Sequence, residues 1–398
     1  MLTTRIISQK LLEDLYDLKY NLHCHPELSE NEYQTRTILI DFLGLHCRNT
    51  QIVNMGRWFY AFKMGRLGEK TLAFRADHDA IKNTKGQVFH GCGHDGHSTI
   101  LAGLVCMMDT IDIDHHLVFI FQHAEENGVG AREIVPHLER LHVDHVYGLH
   151  NFPGFQEGVI ISRPETMMCA SKGMEIVFKG KQAHAGEPDK GCNPIFAISE
   201  LATALEVLGR FPGFGPMTWH GVHFDSLVMA TIASVSLGET DMYGISPGLG
   251  KIQLTLRASR FKDLEGLTAA IEFFVEELKV KYQLQSDISF CDEFPDTSNP
   301  ENEINRLKEV CQKIGKPYKH LEEAIRISED FGWYLNKYPG CFFGVGSGLN
   351  LPPLHNDHFV FPDQIIKEGL EIFLGIIDSH SGWQIFHSLF LDLQMDYS

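Results

Sequence analysis

The sequence predicts an α/β fold into which a second, α+β domain is inserted. Apolar strands alternate with helical patterns over residues 1–167, strands of alternating polarity appear over residues 168–290, and the first pattern resumes over residues 291–380. A chain of 398 residues is also longer than one ordinary core requires. We therefore expect a discontinuous first domain, an inserted second domain and a carboxyl-terminal tail over residues 381–398.

Composition and charge argue against several classes of protein. The chain is 43% hydrophobic and 22% charged, which is typical of a globular protein. Its formal net charge of −18 argues against a nucleic-acid partner, because such partners require a basic surface. No apolar run is long enough to span a membrane, and the amino terminus lacks the apolar core of a signal peptide. The nine cysteines show no disulfide spacing, so we expect a cytoplasmic protein.

The chain begins with two predicted helices, over residues 8–22 and 31–45. The segment His23-Cys24-His25 lies between them, and its side chains are of types that bind metals. Pro26 breaks any helix at this point, and no matching ligands follow nearby. We therefore interpret the segment as a structural loop.

Three predicted strands then lead to polar side chains. The strands cover residues 71–74, 117–121 and 143–149, and they are apolar enough to be buried in a sheet. The polar residues that follow them are, in chain order, Asp77, the pair Glu125 and Glu126, and His150. Ligands of open α/β sheets bind beyond the carboxyl ends of the strands. The pattern therefore predicts one site at that edge of the sheet.

A glycine-rich stretch, His90-Gly91-Cys92-Gly93-His94-Asp95-Gly96-His97, lies between the first two of these strands. Its glycines predict a tight turn. In an extended turn Cys92 and His94 project to the same side, and a thiolate beside an imidazole can begin a transition-metal site. Asp95 is expected to cap the next helix. Taken alone, the stretch could also be a histidine-rich surface loop with an inert cysteine.

The rest of the chain completes the fold prediction. Residues 168–290 predict the order strand, helix, two strands, helix and strand, which is that of a small α+β sandwich. A helix over residues 301–314 and a strand over residues 341–345 then lead to the loop that contains His355. A final helix is predicted over residues 362–378.

The candidate metal ligands are Cys92, His94, Glu126, His150 and His355. Each of them alone has an ordinary structural or surface explanation, but all lie at the predicted ends of strands of one sheet. Five ligands exceed the four of a tetrahedral zinc site and suit two metal ions with open positions. Glu125 directly precedes a ligand and could take a proton from metal-activated water, which is the chemistry of amide hydrolysis.

Five short motifs carry a resemblance to a known family. They are Arg75-Ala76-Asp77-His78-Asp79-Ala80, the stretch His90 to His97, Ala124-Glu125-Glu126, Gly148-Leu149-His150 and Leu354-His355-Asn356. They resemble motifs of the aminoacylase and carboxypeptidase-like metallo-amidohydrolases, in the branch of hippurate hydrolases, N-acetyl-diaminopimelate deacetylases and hydrolases of indole-acetyl amino acids. The resemblance runs from about His23 to Asp378.

The resemblance implies a metallopeptidase-like catalytic domain with a mixed sheet flanked by helices. It implies two divalent metal ions, zinc or manganese with cobalt or nickel as alternatives, bound by the five candidate ligands. It also implies that Glu125 is the general base and that Asp77 is an active-site carboxylate. The inserted domain would serve as a lid and as the surface of a homodimer, and its His184 would help to hold the reacting carbonyl.

Three positions depart from the family pattern. The family usually has Met or Ile at the position of His78, Pro at the position of His123, and an Asn in the lid at the position of Gly244. We expect the two additional imidazoles to alter packing rather than to bind metal. The glycine removes an amide that would help to bind substrate.

These observations predict a two-metal amidohydrolase that cleaves an N-acyl group from an amino acid or a similar small amide. A dipeptidase or carboxypeptidase with the same metals is the alternative within this class of enzyme. A catalytically silent metal-binding protein is a third interpretation, but such a protein would not need Glu125.

Overall fold

The structure, a computed structural model, describes residues 7–68, 70–239 and 241–382. The tail expected over residues 381–398 lies outside the described residues from residue 383 onward. None of the described helices is both long and apolar enough to cross a membrane.

The helices are α1 (Gln9–His23), α2 (Tyr33–His46), α3 (His94–Asp109), α4 (Gly130–Leu138), α5 (Ile195–Gly209), α6 (Phe261–Tyr282), α7 (Glu301–Ile314), α8 (Gly332–Leu335) and α9 (Gln364–His380). The strands are β1 (Gln51–Asn54), β2 (Phe59–Lys63), β3 (Thr71–Asp77), β4 (Ile81–Lys82), β5 (Val88–Phe89), β6 (His116–Gln122), β7 (His145–Pro153), β8 (Ile160–Ser162), β9 (Glu165–Met168), β10 (Ala170–Lys179), β11 (Ala183–His184), β12 (Met217–Trp219), β13 (Val222–Phe224), β14 (Val228–Leu237), β15 (Ile245–Ser246), β16 (Leu249–Ala258), β17 (Gln285–Phe294), β18 (Thr297–Asn299), β19 (Tyr318–His320) and β20 (Gly340–Gly348).

The described chain divides into two compact units. Unit 1 comprises the described parts of Met1–Met167, Ser298–Glu322 and Asp330–Ser398, and unit 2 comprises those of Met168–Thr297 and Glu323–Glu329. Unit 2 is thus larger than the insertion expected over residues 168–290. It extends further because β17 continues to Phe294, and because the Cys169 N–H lies 3.2 Å from the carbonyl oxygens of Ile325 and Ile327.

Unit 1 is built on a mixed sheet with the strand order β1-β2-β6-β3-β7-β20-β8-β19. The central strands β6, β3, β7 and β20 run parallel, whereas β2 and β8 run antiparallel to their central neighbours. Nearly every residue of the central strands is buried, as their apolar sequences predict. The predicted α/β class with a mixed sheet and flanking helices is confirmed.

Successive residues of β3 face opposite sides of this sheet. Phe74 packs in the main core against Phe119, Tyr147 and Phe373, with ring centroids 6.2, 5.6 and 5.2 Å away. This core also contains side chains from α1, α2, α3, α7 and α9. Arg75, the next residue, is buried without belonging to that core. The period of two therefore leaves one face of β3 to the core and the other to polar chemistry.

Unit 2 contains an antiparallel sheet with the strand order β14-β16-β10-β17. Buried side chains of α5 and α6 form one core with Met174, Ile176 and Phe178 of β10. These three residues alternate along the strand with partly exposed ones, which explains the alternating sequence. A separate pair of short strands, β11 and β15, joins His184 to Ile245.

Candidate metal centre

The glycine-rich turn leads directly into α3. Gly93 has a φ of +97°, and a Cβ at this position would lie 2.4 Å from Asn151 Oδ1, so glycine is required. His94 is already the first residue of α3, so the turn is not extended. The expectation that Asp95 caps this helix is wrong, because Gly93 occupies the cap position and Asp95 lies inside the first turn. Asp95 Oδ2 is instead 2.8 Å from His23 Nδ1, which ties α1 to the start of α3.

Two groups of potential metal ligands share Cys92. The ligand atoms of Cys92, His94 and His150 lie within 4.8 Å of one another, as do those of Cys92, Glu126 and His355. Cys92 Sγ is 3.5 Å from His150 Nε2, and His355 Nε2 is 3.5 Å from Glu126 Oε1. The structure therefore brings together all five of the side chains that the sequence singled out as ligands.

The other two histidine ligands, His150 and His355, lie far in sequence from the glycine-rich turn and on two different elements. His150 lies inside β7, which continues to Pro153, so the expectation that this histidine follows the end of a strand is wrong. The strand continues because it remains paired with β20 beyond that residue. His355 lies in the loop after β20 with a φ of +64°, and its N–H donates to the Gly91 carbonyl at 2.8 Å. Such a left-handed backbone persists only where its surroundings hold it.

Two buried ligand atoms have no hydrogen-bond partner among the described residues. They are His94 Nε2 and Glu126 Oε1, which lie 3.9 Å apart. An unpaired buried polar atom costs free energy, and a bound cation would remove that cost. Thiolate, imidazole and carboxylate groups are ligands that zinc and related divalent metals prefer. The residues present therefore fit a metal centre.

Negative charge is concentrated at this centre. Burial alone would lower the pKa of His94, but the charges of Asp77 and Cys92 raise that pKa well above its ordinary value. The nearby Cys92 thiol and Glu126 carboxylate raise the pKa of His355 to about 10. An environment that holds protons this strongly also attracts divalent cations, and metal binding at such ligands releases protons.

Asp79 connects the two groups of ligands, although the sequence did not single it out. Its Oδ1 lies 3.0 Å from His94 Nδ1, and its Oδ2 accepts the Glu126 N–H at 2.9 Å. The Ser29 hydroxyl donates to the same Oδ2 at 2.8 Å. Hydrogen bonds such as that with His94 oppose the effect of burial and lower the pKa of Asp79. Carboxylates in this position orient metal-binding histidines.

Asp77, unlike Asp79, does not contact Nδ1 of His94 and instead contacts His97. Its Oδ1 lies 2.7 Å from Nδ1 of His97, whose Nε2 is 2.6 Å from Asn151 Oδ1. The charges of His94, Arg75 and His97 outweigh burial and lower the pKa of Asp77 well below its ordinary value. Asp77 is therefore an ionised, buried carboxylate behind the ligands, and it orients a histidine that the sequence did not single out.

Glu125 is placed between the ligands and a buried charge network. Its Oε2 is 4.0 Å from His94 Nε2, and its Oε1 accepts the Asp330 N–H at 3.3 Å. The Arg75 guanidinium donates to both Asp330 Oδ1 and Asp77 Oδ2 at 2.7 Å. The buried Arg75 thus binds the carboxylates of Asp77 and Asp330. The N–H of Asp330 is the group that donates to Glu125.

His184 lies in unit 2 and is exposed. It belongs to β11, which pairs with β15, and the N–H of Ala185 donates to the Gly244 carbonyl at 2.9 Å. The Gly186 N–H donates to His184 Nδ1 at 3.0 Å. A neutral imidazole that accepts at Nδ1 carries its proton on Nε2, so Nε2 can act as a donor.

The two additional imidazoles are buried but belong to none of the ligand groups among the described residues. Neither ring nitrogen of His78 has a hydrogen-bond partner in the described chain, and burial lowers the pKa of this residue to about 3. His123 Nε2 lies 3.1 Å from Glu133 Oε2. Gly244 contributes its backbone carbonyl, which accepts the Ala185 N–H directly after the strand that contains His184.

A mixed sheet that presents such ligands around one thiol suits a metal-dependent hydrolase. A model of the peptidase family M20/M25/M40 matches residues 73–379 of this chain. The chain belongs to this family and is therefore a metal-dependent amidohydrolase. The family resemblance and the class of enzyme that the motifs predicted are confirmed.

Two relatives agree with this assignment. N-acetyldiaminopimelate deacetylase of Halalkalibacterium halodurans is 28% identical over 92% of this chain and 99% of its own length. The enzyme of that name from Streptococcus uberis is also 28% identical, over 90% of this chain and 96% of its own.

Two solved structures share the fold. One is a putative aminohydrolase from methicillin resistant Staphylococcus aureus, with a TM-score of 0.81 and 21% identity, covering 96% of this chain and 98% of that one. The other is the YXEP protein of Bacillus subtilis, described as a dinuclear metal binding peptidase from the M20 family. Its TM-score is 0.77 with 22% identity, covering 94% of this chain and 99% of that one.

Proposed function

We propose that this enzyme hydrolyses the amide bond of N-acyl amino acids. The observation that carries the proposal is the pair of ligand groups that share Cys92, with Glu125 Oε2 only 4.0 Å from His94 Nε2. A base beside two cation sites suits attack of water on an amide. The names of the relatives from H. halodurans and S. uberis support an acetylated amino acid as the substrate.

The proposed site holds two divalent cations. Cys92, His94 and His150 would bind one of them, and Cys92, Glu126 and His355 would bind the other. When bound, such cations polarise a carbonyl and make water more acidic. Zinc and manganese, with cobalt or nickel as alternatives, accept these ligands.

Glu125 is proposed as the general base. It would take a proton from the attacking water and later give it to the leaving amine, which is how one carboxylate serves both halves of an amide hydrolysis. The hydrogen bond from the Asp330 N–H would hold the Glu125 carboxylate in place while its other oxygen meets the water. Asp77 is proposed as the active-site carboxylate that orients His97 and supports the negative potential of the centre.

Unit 2 is proposed to act as a lid. His184 is exposed, and the bond from the Gly186 N–H leaves its Nε2 as a donor. A donor of this kind would stabilise the negative charge that develops on the carbonyl oxygen in the transition state.

Assays with different substrates distinguish two alternatives from the proposed function. A dipeptidase or carboxypeptidase would use the same ligands and the same Glu125, so the site alone favours neither. A metal-binding protein without activity would not need a carboxylate held beside the ligands as Glu125 is.

The test is a substrate panel with the purified full chain. N-acetyl and N-benzoyl amino acids, N-acetyldiaminopimelate and dipeptides are assayed after loading with Zn²⁺, Mn²⁺ or Co²⁺. We expect release of the acyl group from N-acyl amino acids, and loss of that activity with a chelator. Cleavage of dipeptides alone would favour the peptidase, and no hydrolysis of either class would favour the silent protein.

We also propose that the protein forms a homodimer in the cytoplasm. The edge strand β14 has no charged residue, and it exposes Ile232 and Val235. Natural sheets usually protect such an edge, and a second copy would do so. Light scattering on the wild type and on an Ile232→Lys variant tests this proposal, because a charge on the edge should favour the monomer.

A further inference from the structure

Two side chains before α2 hydrogen-bond to the turn that carries Glu125, and a third hydrogen-bonds to Asp79, which accepts from the same turn. We call residues Ser29–Glu32 the support segment and residues Ala124–Asn127 the base turn. Glu32 Oε1 accepts the Ala124 N–H at 2.7 Å, Glu30 Oε1 accepts from Asn127 Nδ2 at 3.0 Å, and the Ser29 hydroxyl reaches Asp79 at 2.8 Å. The support segment precedes the residues 73–379 that the family model matches.

Ala124 is the strained residue of the base turn. Its φ of +51° lies in the left-handed region, which costs free energy for a residue with a Cβ. Ala124 is fully buried, and its carbonyl accepts the Gly130 N–H at 2.9 Å. Its own N–H is the donor that Glu32 satisfies. A strained conformation persists only while the surrounding contacts hold it, so Glu32 is one of the groups that maintain this turn.

Buried carboxylates hold the backbone on both sides of Glu125. Glu32 accepts the N–H of Ala124, and Asp79 accepts the N–H of Glu126 at 2.9 Å. Both carboxylate residues are buried, as is Glu125 itself. The two amides immediately before and after the base are therefore fixed, which restricts the direction in which its side chain can leave the backbone.

We propose that Glu32 is a positioning residue for the hydrolytic reaction, which holds the Ala124 peptide so that Glu125 is aimed at the site. The proposal rests on the proposed function, because it takes Glu125 as the base. Glu32 acts through the backbone of Ala124 and not on the substrate. Burial and the charge of Asp79 raise the pKa of Glu32 to about 8, so glutamine resembles its neutral form in shape and retains the acceptor oxygen.

The experiment compares Glu32→Ala, Glu32→Asp and Glu32→Gln in the full, metal-loaded enzyme. Loss of the acceptor in Glu32→Ala should lower kcat by about 10²-fold, since a small misplacement of a catalytic group has this effect. KM should change less than kcat, and metal content should remain unchanged. Glu32→Asp is too short to reach the amide and should behave like Glu32→Ala, whereas Glu32→Gln should retain most of the wild-type rate.

Glu27→Ala is the matched control in the same loop between α1 and α2. Glu27 Oε2 accepts the N–H and hydroxyl of Thr35 at 2.8 and 2.9 Å, and in the described structure its side chain does not hydrogen-bond to the base turn. The control should lose stability without a specific loss of kcat. An equal loss of kcat in Glu27→Ala, or a wild-type kcat in both Glu32→Ala and Glu32→Asp, would overturn the proposal. If Glu32→Ala does not fold, Glu32→Asp decides.

Amide hydrogen exchange of the metal-free protein gives a second measurement that does not depend on activity. Peptides that cover residues 122–128 should exchange faster in Glu32→Ala or Glu32→Asp than in the wild type and in Glu27→Ala. Unchanged exchange there would contradict the positioning role even if the enzyme were inactive on the substrate panel. Failure of the proposed function would instead appear as wild-type protein without hydrolysis and with the exchange difference intact.

Discussion

His94 Nδ1 lies 3.0 Å from Asp79 Oδ1 in a fully buried part of unit 1. Once it releases its second proton, as metal binding requires, a histidine that donates from Nδ1 to a carboxylate has a free lone pair on Nε2, the nitrogen that has no hydrogen-bond partner in the described chain. The same carboxylate holds the Glu126 N–H at 2.9 Å. Asp79 therefore orients one ligand from each of the two groups.

Asp79→Asn should weaken metal binding while leaving the fold intact. Loss of a carboxylate behind a metal-binding histidine typically costs about 10- to 100-fold in affinity. Competition with a chromogenic chelator measures this affinity. The control is Asp144→Asn, because Asp144 Oδ2 accepts the Thr71 N–H at 2.7 Å at the opposite end of β3. Equal affinities in the wild type and Asp79→Asn would show that Asp79 does not orient a ligand.

Cys92→Ser should lose at least one of two metal equivalents, because both ligand groups contain this thiol. A hydroxyl is a much poorer ligand than a thiolate for zinc and related metals. Elemental analysis of the purified variant measures the metal content, with Cys311→Ser as the control for replacement of another buried cysteine. Full metal content together with a full rate in Cys92→Ser would show that the site is misplaced.

Glu125→Gln should lower kcat by about 10²–10⁴-fold, the usual range for general acid–base catalysis. The change keeps the size of the side chain and removes the base, so metal content should stay at the wild-type value. Steady-state kinetics and elemental analysis on one preparation separate the two effects. A variant that loses metal would mean that the roles of Glu125 and Glu126 are reversed.

His184→Ala should lower kcat by about 10²–10³-fold, the loss typical of one oxyanion donor. KM should change less, because the contact acts mainly on the transition state. The control is His223→Ala, another exposed histidine of unit 2. If His184→Ala retains a near-wild-type kcat, unit 2 does not contribute this donor.

His380, which contacts Tyr147 of β7, should make the protein less stable at acid pH. His380 Nε2 lies 2.7 Å from the Tyr147 hydroxyl, and burial with the nearby charge of Arg306 lowers the pKa of His380 to about 2. The unfolded chain takes up this proton near pH 6.5 while the folded chain does not. Stability is therefore full above pH 6.5 and decreases as the pH falls towards 2, by up to about 1.4 kcal/mol per unit.

Urea unfolding of the wild type and of His380→Gln tests this expectation. The Tyr147 hydroxyl donates its proton to Glu303 Oε2, so His380 Nε2 donates to the Tyr147 oxygen. The glutamine amide can still donate to that oxygen but does not titrate, so the variant should lose less stability between about pH 7.5 and about pH 5.5. The difference should be about 1 kcal/mol. Identical pH dependence of the two proteins would show that His380 is charged, or free to become so, in the folded state.

Much of unit 1 could be predicted because its strands are long apolar runs. Such runs predict β3 and β6, and residues at or just after the ends of these strands belong to the candidate site. The outer strands β1 and β19 were not predicted, since they have three or four residues and are largely exposed. Their position depends on pairing with neighbouring strands and not on local hydrophobicity.

The five candidate ligands could be identified because cysteine, histidine and glutamate, which bind metals, occur in short motifs near the predicted strand ends. Asp79 and His97 belong to the same motifs, but only the folded chain shows which atoms they contact. The contact of Arg75 with Asp330 joins residues 255 positions apart, and no local pattern could reveal it. The support segment was missed for the same reason, because Glu32 reaches Ala124 only after α2 packs in unit 1.

The most direct test of the account is a metal titration of hydrolysis with metal-free protein. Acyl release from an N-acyl amino acid is followed while Zn²⁺ or Mn²⁺ is added, and bound metal is measured in the same samples. We expect activity to rise with bound metal, to saturate at two equivalents per chain, and to stay absent in Cys92→Ser over the same range. Hydrolysis without metal, or an undiminished titration in Cys92→Ser, would contradict a two-metal centre that shares this cysteine.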